Sequence, residues 1–249
     1  ELLDGLSAPP GYFPQNVMMN IQGYESFDQV MQKSHTPLTP KEFEVAANET
    51  EAIVLDVRHQ NDFVKGHIPR SIFIGIDGGF APWVGALIVD VKQPILLVAP
   101  KGREEEVITR LSRVGFDHVV GYLDGSFEAW KKEGLEYDTI SAISAEEFKN
   151  RYEDIKDVIF DVRKEGEYTA EHIENAYFTP LDFLNDYLSE FPDNKNFYLH
   201  CAGGYRSVIA ASILKSRGIH NLVDVAGGFS EIKATGIPTT SHVCPSTLK

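Results

Sequence analysis

The chain has 249 residues, 43% of them hydrophobic, with a formal charge of -14 at neutral pH and two cysteines, Cys201 and Cys244. This length and apolar fraction suffice for one large buried core or two ordinary ones. The charge repels phosphate backbones and excludes a general nucleic-acid partner, and no apolar run approaches the roughly 20 residues of a membrane span.

A domain of this size needs no disulfide staple, and no His, Cys or Asp group has metal-ligand spacing, so neither a metal nor a cofactor is expected. A basic segment followed by an apolar one is missing at the N-terminus, which makes the cytoplasm the expected compartment.

In chain order, residues 1–35 come first. They mix prolines and glycines with Tyr12, Phe13, Met18, Met19, Ile21 and Phe27, too apolar for a free linker, and are expected to form a connector packed on a domain surface. Thr39 and Glu42 then form an S/T-x-x-E capping box, the signature of a helix start. The short branched runs Ile53–Leu55, Ile95–Val98 and Val119–Tyr122 read as buried strands. A helical pattern from Glu104 to Arg113 lies between the last two and ends near Gly115.

The same succession returns further on. Ser144 and Glu147 repeat the capping box, and Val158–Phe160, Phe197–Leu199 and Leu222–Val225 repeat the strands. Ser207 to Arg217 repeats the helix before Gly218. "IVLDVR" at Ile53 answers "VIFDVR" at Val158 with an offset of 105, and "DGSFEAWKKEG" at Asp124 answers "AGGFSEIKATG" at Ala226 with an offset of 102. Internal repetition of this kind sets the domain count. It gives two homologous α/β domains, 36–140 and 141–249, each with a mainly parallel sheet, because strands alternate with helices.

The chemistry concentrates in "HCAGGYRS". With Leu199 ending a strand and Ser207 opening a helix, residues Cys201 to Arg206 form a loop at the carboxyl end of a parallel strand, where open α/β sheets bind ligands. Gly203 and Gly204 let the loop curl until its amides point inward. Amides backed by the positive end of a helix cradle an anion. In such a cradle Cys201 is held as the thiolate or as a persulfide, while Arg206 offers a planar fork to an oxyanion. Against this stands the plain alternative that Cys201 is a small buried hydrophobe. His200 is read as a satisfied strand-end histidine, and Cys244 as a tail cysteine without chemistry.

Taken together, "DVR" in both halves, "GHIP" and "EHIENA", the C-x-x-x-x-R loop and the closing "AGGF" resemble tandem rhodaneses, the sulfurtransferases, over roughly residues 36 to 240. The resemblance implies a five-stranded sheet flanked by helices in each domain. It also implies a persulfide on Cys201 formed from thiosulfate or another sulfane-sulfur donor and passed to cyanide, a thiol or a protein.

By the same resemblance Arg206 binds substrate and the backbone of Ala202, Gly203, Gly204, Tyr205 and Ser207 lines the pocket. Asp161 and Arg163 hold strand ends and loops together, with a direct supporting role as the alternative. Glu171 and His172 belong to a structural turn.

The first repeat has Ala99 where the second has Cys201, and Glu104 and Glu105 follow Arg103, so the first domain is expected to be inactive in sulfur transfer and to serve as scaffold, docking surface or pocket wall. The opening "PPGYFPQNVMMNIQG" resembles the connector of fusions between a metallo-β-lactamase-fold persulfide dioxygenase and rhodanese domains. That resemblance makes such a domain an expected fused or associated partner, beside small sulfur-donor anions and thiol acceptors.

Two further functions remain open. One is a non-catalytic rhodanese-fold binding or regulatory module. The other is a cysteine phosphatase or arsenate reductase, disfavoured because four residues rather than five separate Cys201 from Arg206.

Overall fold

The structure, a computed structural model, describes residues 27–241. Most of the N-terminal connector, and residues 242–249 with Cys244, lie outside the described residues. Two five-stranded sheets are present. The first has the order β1-β5-β4-β2-β3, with β1 Pro37–Leu38, β2 Ile53–Asp56, β3 Ile72–Phe73, β4 Ile95–Val98 and β5 Val119–Leu123. The second has the order β6-β10-β9-β7-β8, with β6 Ala142–Ile143, β7 Ile159–Asp161, β8 Tyr177–Phe178, β9 Phe197–His200 and β10 Leu222–Val225.

β1–β5, β5–β4 and β4–β2 in the first sheet and β6–β10, β10–β9, β9–β7 and β7–β8 in the second pair in parallel, and the central β4 and β9 are buried along their whole length, as sheets covered on both faces require. The expected parallel α/β architecture is present in both halves. Among the described residues no helix is long and apolar enough to cross a membrane.

Both capping boxes form. Thr39 and Ser144 accept from the amides of Glu42 and Glu147, whose carboxylates reach back to the cap amides. The edge strands β1, β3, β6 and β8 have two residues each, too short to leave a period in the sequence.

The described residues divide into two compact units, 27–58 with 74–135, and 59–73 with 136–241. Within the second unit the Phe73 amide donates to Ser212 Oγ at 3.0 Å, and the Phe73 ring meets the Tyr205 ring edge-on at 5.8 Å.

Candidate active site

Cys201 directly follows β9, and the next helix runs from Tyr205 to Ser216. The helix therefore begins two residues before the expected Ser207. The cause is Gly204, whose φ of 93° is a left-handed conformation open to glycine. It turns the chain at the N-cap, so that Tyr205 and Arg206 enter the first turn. The loop shrinks to Cys201, Ala202, Gly203 and Gly204. Tyr205, Arg206 and Ser207 become the first three helical residues, whose amides have no partner inside the helix.

The Gly204 amide donates to Cys201 Sγ at 3.1 Å, and Cys201 itself is only 1% exposed. The loop is held from above by "AGGF". Phe229 and Ser230 donate their amides to the carbonyls of Cys201 and Ala202 at 2.6 and 3.1 Å. Gly228 makes this approach possible, since a Cβ there would lie 2.5 Å from the Cys201 carbonyl oxygen.

Arg206 is not an open fork. Its two terminal nitrogens are bound by Glu167 Oε2 and Oε1 at 2.5 and 2.8 Å. The Arg206 guanidinium holds the Glu167 carboxyl below the usual carboxylate range, and Glu167 in turn raises the arginine. Sequence reasoning missed Glu167, which lies 39 residues from its partner. The only available signal was its place four residues after the "DVR" arginine, where the first repeat has Asp62.

Beside this pair lies an open pocket of about 570 Å³ whose lining includes Lys164, Glu167, Glu171 and Phe229. Tyr205 faces Phe73, Ala202 is half-buried and Gly203 is exposed.

The carboxylate of Asp161 binds the guanidinium of Arg163 through Nε and Nη2 at 2.6 to 3.0 Å, and Nη2 also donates to the Glu171 carbonyl at 2.8 Å. Phe229 lies under the guanidinium at 4.0 Å. In the unit that has Ala99, Asp56 and Arg58 repeat this pair at 2.6 to 3.1 Å, with Phe127 under the arginine at 4.4 Å. A geometry that recurs without the cysteine supports the architectural reading of "DVR". Glu171 binds Lys233 and Thr239, and His172 stacks on Tyr168, as structural residues would.

His200 is less satisfied than expected. It is fully buried, its Nδ1 lies 3.4 Å from the Cys201 carbonyl, and its Nε2 has no hydrogen-bond partner among the described residues, with Asp161 Oδ2 at 3.8 Å. Burial lowers its pKa and keeps the ring neutral.

Two buried groups behind the loop were also missed. Asp224 Oδ1 and Ser207 Oγ have no hydrogen-bond partner among the described residues. Burial pushes the Asp224 carboxyl up to about 7, against a weaker opposing pull from the Ser207 hydroxyl. The hydroxyl lies near the carboxyl without meeting good hydrogen-bond geometry.

The Cys201 thiol thus lies at a helix N-terminus, just past the end of the central parallel strand β9. The profile of the Rhodanese-like domain family matches residues 39–133 and 144–235, and the chain belongs to that family. A thiosulfate sulfurtransferase of Coxiella burnetii is 33% identical over 77 residues, which is 31% of this chain and 72% of that protein. A putative sulfur carrier protein of Bacillus subtilis is 31% identical over 94 residues, 37% of this chain and 51% of that protein. The chain spans about half the length of the first curated relatives it matches. A crystal structure of a rhodanese-like domain protein from Staphylococcus aureus, 34% identical, covers 37% of this chain and 91% of its own with a TM-score of 0.35.

Proposed function

We propose that this chain is a sulfurtransferase in which Cys201 carries sulfane sulfur as a persulfide. The donor is thiosulfate or an organic persulfide, and the acceptor a thiol, cyanide or a protein. The Cys201 thiolate attacks the outer sulfur of the donor. One S–S bond forms at Cys201 as the donor's S–S bond breaks, and sulfite or a thiolate leaves with the electron pair. An acceptor thiolate then takes the terminal sulfur as R–S–S⁻ and restores the Cys201 thiolate. No external oxidant or reductant is needed.

The observation that carries this reading is the 3.1 Å contact from the Gly204 amide to Sγ at the head of a 12-residue helix. Donors placed there stabilise a thiolate or a terminal persulfide anion without reorganising. The names of the relatives point the same way. Enclosure of the thiol disfavours phosphatase chemistry, because a tetrahedral phosphorus with three oxygens must approach a sulfur that is 1% exposed, whereas a terminal sulfane sulfur is far less hindered.

For the first unit, Ala99 leaves no sulfur carrier, and a scaffold or docking role follows. Small donor anions, thiol acceptors and a fused or associated persulfide dioxygenase domain are the partners in this reading, in the cytoplasm.

The test is intact mass after exposure to thiosulfate or glutathione persulfide. A gain of one sulfur atom is expected, and Cys201→Ala should abolish it. A folded protein that gains no sulfur from either donor, or an adduct that survives C201A, overturns the reading.

A further inference from the structure

We propose that Glu167 is a specificity-determining residue that, by filling the guanidinium fork of Arg206, turns the Cys201 site away from thiosulfate and toward organic persulfides. This rests on the sulfur-transfer reading above and names the donor class for the same site. Both terminal nitrogens of Arg206 are occupied, at 2.5 and 2.8 Å, by a carboxylate that also lines the pocket beside the loop. The pair is well braced, because Glu167 Oε2 also accepts the Lys164 amide at 3.2 Å. Of the other charged groups of the lining, Arg163 is paired with Asp161 and Glu171 with Lys233, each at 2.6 Å, while Lys164 is an exposed cation.

Thiosulfate brings a compact dianion whose three oxygens need paired donors, and it meets a fork already closed by a carboxylate. To use Arg206 it must displace Glu167 and leave that charge beside its own. An organic persulfide needs no such fork. In Cys201–S⁻ + R–S–S–H → Cys201–S–S–H + R–S⁻ the charge is one negative throughout, the attacked sulfur keeps its proton, and the leaving group is a thiolate on an organic tail. The loop amides suffice for the single charge at the reacting centre.

The experiment measures persulfide formation on Cys201 by intact mass over time, with thiosulfate and with glutathione persulfide as separate donors. It compares the full chain with E167Q, E167A and the double variant E167Q/R206Q. Glu167 is 37% exposed on its side chain, and glutamine keeps its shape.

Removing one partly solvated like charge should raise the thiosulfate-to-persulfide ratio of kcat/KM about tenfold in both single variants, mainly through KM for thiosulfate. The gain should vanish in E167Q/R206Q, because it runs through the freed guanidinium. An unchanged or lower ratio in E167Q and E167A overturns the inference while leaving sulfur transfer intact, and so does a gain that persists without Arg206. Wild-type protein that takes sulfur from neither donor overturns the sulfur-transfer reading and this inference with it.

Discussion

Asp224 is a carboxyl in the wrong place for a charge. It lies on β10 opposite Leu199 of β9, two residues before Cys201, and is 3% exposed. A carboxyl whose folded pKa stands near 7 against an ordinary 3.8 binds its proton more tightly in the folded state than in the unfolded one. The stability that this proton provides is full below the ordinary value, is lost as pH rises from about 4 to about 7, and does not return above. The full span is on the order of 4 kcal/mol. Asp224→Asn keeps the shape and removes the titration. Guanidinium unfolding should therefore show D224N gaining stability over wild type between pH 5 and pH 8. Carboxylates such as Glu42, Glu147 and Glu167, held low by their partners, act in the opposite direction but cancel in the difference between the two proteins. A difference that does not change with pH would refute a titrating Asp224.

The strand-loop-helix element owes its form to two glycines with different duties. Gly204 supplies the left-handed N-cap that starts the helix. Gly228, at φ 59°, lets the next helix start press onto the loop carbonyls. The first repeat has Ser126 at the position of Gly228, also left-handed at φ 60°, and its hydroxyl donates to the Ala99 carbonyl at 2.6 Å. Gly228→Ala would place a methyl 2.5 Å from the Cys201 carbonyl oxygen and 2.8 Å from Ala202 backbone atoms. The expected cost is about 2–4 kcal/mol, read as a lower denaturant midpoint, together with slower sulfur uptake at Cys201 as the cradle is pushed aside. Unaltered uptake would mean that the "AGGF" contact does not shape the loop.

This element also shows where sequence is legible. Capping boxes and branched buried runs are local patterns and read true, within a residue or so at each strand end. The helix start was displaced because the 3.6-residue period does not reveal which of two adjacent glycines turns left-handed. Glu167 was invisible because an ion pair across 39 residues leaves no local trace. Asp224, inside the run "LVDV", passed as one more strand residue, since nothing local tells a buried carboxyl from one at a sheet rim.

At the scale of the molecule, one sequence pattern has been used twice to different ends. Both units keep the sheet, the capped first helix and the buried Asp-Arg pair, and only the second keeps a thiol in the loop. In the first, Arg103 is bound by Asp77 and Glu106 at 2.7 to 3.1 Å, behind a first helical turn with three glutamates, a setting hostile to anions. The fold thus stands without the cysteine, and core filling does not account for Cys201.

The whole chain also sets the field through which a donor arrives. A net charge of -14 repels a dianion over distances longer than any single contact, and salt screens that repulsion within about 10 Å at 0.1 M. Raising ionic strength from about 0.01 M to about 0.15 M should therefore increase kcat/KM for thiosulfate by a few fold, measured as initial rates of sulfur loading on Cys201. The effect should be smaller for a singly charged persulfide, because the repulsion scales with the charge of the donor. A thiosulfate rate that falls with salt would show that a local positive field at the pocket mouth outweighs the charge of the whole molecule.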